Sequence, residues 1–102
     1  MKLSIETPAY NEKRYGKPYL GRLNPSDGTV SQWAEWIGAP GEEGFLELEV
    51  QVGDVVMKGQ KDNRGSNSAP RYGVVQANGE IEYMSKAQAI KAGRAALQPP
   101  AQ

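Results

Sequence analysis

Cations set beside flat rings are the pattern in this chain best suited to a specific task. Tyr10, Tyr15 and Tyr19 lie among Lys13, Arg14, Lys17 and Arg22, and Tyr72 directly follows Arg71 in a second basic stretch with Lys58, Lys61 and Arg64. Lysine and arginine neutralise phosphates, and unpaired bases stack on aromatic rings for about 1–3 kcal/mol each. The chemistry implied is single-stranded nucleic-acid binding, with Tyr15, Lys17, Tyr19, Arg22, Lys61, Arg64, Arg71 and Tyr72 as the expected contacts. Gly16, Gly59 and Gly65 would let backbone approach such a ligand closely. A plainer account competes with this one. Tyrosine packs well in strands, and the cations can pair with Glu47 and Glu49 across neighbouring strands for under about 1 kcal/mol per exposed pair. The net charge of zero also lacks the basic bias usual in nucleic-acid binders.

That zero conceals a segregation. Between Leu23 and Met57 there is no lysine or arginine, against seven acids: Asp27, Glu35, Glu42, Glu43, Glu47, Glu49 and Asp54. Trp33 and Trp36 fall in the same stretch. Tryptophan is enriched in interface hot spots, so an exposed ring beside Glu35, Glu42 and Glu43 would suit a protein-interaction or inhibitory module. Three residues apart, the two rings cannot share a face of a regular strand; one is expected inside and one out.

The tetrapeptide Gly16-Lys17-Pro18-Tyr19, after its basic turn, resembles the start of the DNA-binding wing of filamentous-phage single-stranded-DNA-binding proteins. The resemblance covers four residues. The acidic middle and a C-terminal helix depart from that family.

Catalysis is not expected. The chain has no cysteine and no histidine, which removes thiolate chemistry, cysteine-based zinc sites and the usual general base near neutral pH. Asp54 and Asp62 could form a carboxylate pair, though nothing in their spacing demands it. Arg64-Gly65-Ser66-Asn67-Ser68 lacks the spacing of a phosphate-binding loop, and Glu42-Glu43 lacks that of a calcium loop. No cofactor or metal is implied.

The elements that must position these residues follow from periodicity. Lys2–Thr7 alternates with Leu3 and Ile5 on one face, Lys17–Leu23 resumes as a strand, and Asn24-Pro25-Ser26-Asp27-Gly28 is a turn cluster. Residues 30–37 are ambiguous between helix and strand, and strand is preferred. From Phe45 the alternation places Leu46, Leu48, Val50 and Val52 inward, and Val55-Val56-Met57 opens the next strand. Residues 63–71 read as a polar loop. Asn78-Gly79 between apolar runs predicts a hairpin. Ser85 with Gln88 three residues on is a capping-box pattern, opening a helix over 86–97 with Ala89, Ile90, Gly93 and Leu97 on one side.

About six short strands and one helix fit a single mainly β domain over 1–97, a small SH3-like or OB-like barrel with a C-terminal helix (85–97) and a flexible tail at 98–102. No apolar run approaches the roughly 20 residues of a membrane span. The polar first residues lack a secretory h-region. A cytoplasmic protein is expected, its partner a single-stranded nucleic acid or another protein.

Overall fold

A computed structural model describes residues 1–7, 17–39, 42–61 and 70–97. The chain is mainly β, with two antiparallel sheets and one helix. The strands are β1 (Lys2–Thr7), β2 (Lys17–Leu23), β3 (Val30–Trp33), β4 (Glu35–Ile37), β5 (Gly44–Glu49), β6 (Val55–Lys61), β7 (Arg71–Val75) and β8 (Ile81–Met84), followed by α1 (Lys86–Leu97). One sheet has the order β1-β5-β4 and the other β3-β2-β6-β7-β8. Eight strands form where about six were expected, and their pairings close no barrel among the described residues. The tail at 98–102 and most of the 63–71 loop lie outside them. Arg71, expected in that loop, opens β7.

The five-stranded sheet has an apolar side chain on each face, pleat by pleat, and so two cores. Leu20, Val56 and Val75 point to one side and pack with Leu3, Leu46, Leu48 and Val50 of the smaller sheet. Leu23, Val55 and Val74 point to the other and pack with Ala89 of α1. Each of these aliphatics contributes about 1.5–3 kcal/mol by leaving water. The consecutive pair Val55-Val56, both 1% exposed, reads in sequence as a short apolar run because the sheet is covered on both sides here.

Residues 30–37 are extended but not one strand. Up to Trp33 the segment pairs with β2; the Ala34 N–H donates to the Leu20 carbonyl at 2.8 Å, and from Glu35 the chain pairs with β5. A single extended run thereby passes from one sheet to the other. The inward alternation of β5 also stops early. Val52 is 57% exposed, because after Val50 the chain leaves the ladder. A turn forms there, with Gln51 N–H donating to Asp54 Oδ2 at 2.8 Å and Asp54 N–H to the Gln51 carbonyl at 3.0 Å.

The C-terminal half follows its local signals. Asn78-Gly79 turns β7 into β8, with Gly79 at φ +84°, where glycine carries no Cβ penalty. Ser85 and Gln88 close a reciprocal capping box: Gln88 N–H donates to Ser85 Oγ at 3.2 Å and Ser85 N–H to Gln88 Oε1 at 3.3 Å. The helix then packs against β7 and β6, and Gly93 leaves room for the approach; a Cβ there would collide with Val55 Cγ2. Arg94 fastens the helix to the 24–28 turn, Nε donating to the Pro25 carbonyl at 2.7 Å and Nη2 to that of Ser26 at 3.2 Å. No helix among the described residues is long and apolar enough to cross a membrane.

Candidate nucleic-acid interface

Antiparallel register carries the two basic stretches together. β2 and β6 pair along their whole lengths, so Lys17 stands opposite Lys61, Tyr19 opposite Gly59, and Leu20 opposite Lys58, which in turn faces Arg71 of β7. Tyr15 and Arg64 lie outside the described residues.

The pleat then sorts these residues between two faces. Trp33, Gly21, Met57, Tyr72 and Met84 form one cross-strand row over β3-β2-β6-β7-β8. Met57, Tyr72 and Met84 pack against the core beneath α1, so the row lies on the helix side, one pleat beyond the ground α1 covers. The Tyr19–Gly59 pair continues the same face. Here the sheet's cover is aromatic. A Cβ on Gly21 would stand 3.1 Å from the Trp33 ring, and one on Gly59 would collide with the Tyr19 hydroxyl. Rings laid over cross-strand glycines shield backbone that would otherwise face water. Gly59, expected to bring backbone near a ligand, instead floors a tyrosine.

Trp33 and Tyr19 meet edge to face, their centroids 5.9 Å apart at 82°. Burial holds the Tyr19 phenol above its ordinary pKa, and the neighbouring Tyr72 phenol adds to the rise. Lys86, the first residue of α1, carries its Nζ 5.6 Å from the Tyr72 ring centroid. Trp33 is 55% exposed, and Tyr19 and Tyr72 are half-buried. The result is a three-ring surface with a lysine at one end.

Arg22 and Arg71 lie on the opposite face. Arg22 shares its row with Val56 of the inter-sheet core. Its Nε donates to Ser31 Oγ at 3.3 Å and its Nη1 to the Glu49 carbonyl at 3.4 Å, with Asp54 Oδ2 at 3.9 Å. Half-buried, it stitches one sheet to the other. Arg71 lies over the Tyr83 ring at 5.7 Å, on the far side from Tyr72. The eight residues grouped by the sequence are therefore not one surface: Tyr19 and Tyr72 share a face, while Arg22 and Arg71 do not join them.

The tryptophans divide as alternation demands. Trp33 is the exposed one, and Trp36 packs against the inter-sheet core. A groove beside Trp33 is lined by Gln32, Glu35, Glu47, Glu49 and Lys2. Glu35 stands directly opposite Glu47 in register, a like-charge pair that destabilises a sheet, and Lys2 reaches Glu47 at 3.7 Å. Glu42 and Glu43 are exposed ahead of β5. Ile37 and Phe45, paired across β4 and β5, are each 44% exposed.

Two members of the aromatic surface were not readable as such: Met57, which sequence places only at the start of a strand, and Lys86, which it places only at the start of the helix. Their signal is register, available once β3, β2, β6 and β7 are known to be neighbours. No family model matches the chain, and comparisons with curated proteins and with solved structures likewise find no match.

Proposed function

We propose that the protein is a non-catalytic binder of single-stranded nucleic acid, using the half of the five-stranded sheet that α1 leaves open. The observation that carries this is the coincidence of exposed Trp33 with the partly exposed Tyr19 and Tyr72 on one face, where packing alone would favour aliphatic cover. Every base has a π-face, so such a surface takes unpaired bases with little regard to sequence, whereas paired bases in a duplex present no free face to stack. Lys17 and Lys61 stand opposite each other in register, one pleat pair beyond Tyr19. Tyr15 and Arg64 follow within three residues of them in sequence. The strand that changes sheets at Ala34 suits a half-open, OB-like arrangement.

The test is titration of a fluorescent single-stranded oligonucleotide at low and moderate salt, with tryptophan emission followed in parallel. Salt-sensitive binding with quenching of Trp33 is expected. Absence of binding at low salt overturns the proposal.

A protein-interaction module is the second reading, favoured by the Glu35–Glu47 pair next to exposed Trp33. Glu35→Lys separates the two. It strengthens oligonucleotide binding if Trp33 stacks a base, and weakens capture of a basic partner if the acids are the docking surface.

A further inference from the structure

We propose that Lys86 is the phosphate-contacting residue at the inner end of this aromatic surface, and that the bound strand runs across the β-strands from Trp33 toward Tyr72. The inference rests on the nucleic-acid reading and adds a direction and a residue to it.

Three observations lead there. Charge is uneven along the row: the groove at the Trp33 end is lined by Glu35, Glu47 and Glu49, with the one lysine there, Lys2, already paired with Glu47, while the Tyr72 end has the Lys86 ammonium. A strand stacked on Trp33 reaches Lys86, an ammonium with no carboxylate partner among the described residues, by passing over β2 and β6 toward β7. Second, Lys86 is a poor choice on helix grounds. A lysine in the first turn opposes the positive end of the helix dipole, at a cost of about 0.3–1 kcal/mol. The side chain is exposed and makes no ion pair among the described residues. Its stem instead passes Gly28, whose Cβ position lies 3.9 Å from Lys86 Cε, and its head ends over Tyr72. Third, the span fits. Three interstrand steps of about 4.8 Å separate Trp33 from Tyr72, about 14 Å in all, a spread over which sheet-borne rings hold about two or three bases. Met84 on the edge strand ends the row beyond Tyr72.

Lys86→Ala tests this in the full chain against a short single-stranded oligonucleotide of mixed sequence, with Lys91→Ala, on the exposed side of the same helix, as control. Lys86→Ala is expected to weaken binding about five- to tenfold at low salt. It should also lower the magnitude of the log K against log salt slope by about 0.7, the value for one phosphate on a single strand. Thermal stability should hold or rise, because the unfavourable dipole contact is gone. Lys86→Arg should restore most of the affinity. If the wild type binds while Lys86→Ala matches it in affinity and slope, this inference fails and the broader reading stands. If the wild type does not bind, both fall.

Discussion

The helix-side face of the five-stranded sheet is covered in two ways, and the contrast separates folding from function. Under α1 the cover is aliphatic and complete: Leu23, Val55 and Val74 meet Ala89, itself 0% exposed. One pleat further the cover is aromatic and incomplete, with Trp33 and Tyr19 laid over Gly21 and Gly59. Both halves depend on glycine for a close approach. On the helix, Gly93 lets an element pack down; on the sheet, Gly21 and Gly59 let rings lie low while keeping their outer surfaces in water. The same backbone thus supports a closed half that holds the fold and an open half whose rings keep exposed surface, the half on which the nucleic-acid proposal rests.

The largest effect that should separate the halves comes from the helix glycine. Gly93→Ala drives a methyl into Val55 and should cost about 2–3 kcal/mol, within the usual range for overpacking, read as a lowered denaturant midpoint with an unchanged m-value. Trp33→Ala should do the reverse. Oligonucleotide binding weakens by about 1–3 kcal/mol, while unfolding shifts by less than about 1 kcal/mol because the ring is mostly in water. Equal losses in both measurements would make Trp33 a structural cover. Ser85→Ala removes one arm of the capping box and should lower stability by about 1 kcal/mol with binding retained, since the cap serves the closed half. Gly59→Ala is a finer probe: its methyl meets the hydroxyl end of the Tyr19 ring, which must tilt away, so stability falls by about 1 kcal/mol while the displaced ring changes binding.

The smallest effect is one of pH, remote from the rings. Asp27 accepts from the Thr29 hydroxyl at 2.7 Å and from the Thr29 N–H at 3.0 Å, and these bonds lower its pKa in the folded state. Its contribution is fully present above the ordinary aspartate value and disappears as pH falls through the lower folded one. Asp27→Asn should therefore lie closest to wild type in acid and fall below it toward neutrality. A constant gap across that range would mean the carboxylate charge plays no part.

Much of the architecture was legible because local physics and tertiary context agreed. The alternation of Lys2–Thr7 and Lys17–Leu23, the Asn78-Gly79 hairpin and the Ser85–Gln88 cap each specify an element from within a few residues, and each stands where it was expected. Val52 failed because alternation carries no information about where a ladder ends, and 30–37 failed as one strand because a change of partner at Ala34 leaves no mark in periodicity. The sequence alone thus determined the mainly β character, most of the strands, the helix and its cap, and the convergence of aromatic and basic residues on neighbouring strands as a possibility. Only tertiary structure decided which of them share a face. Pairing register and the half-pleat rotation between successive residues put Tyr72 beside Tyr19 and Lys86, turned Arg71 to the other side, and bound Arg22 to the Glu49 carbonyl. That selection depends on contacts between residues dozens of positions apart, and no short-range pattern encodes it.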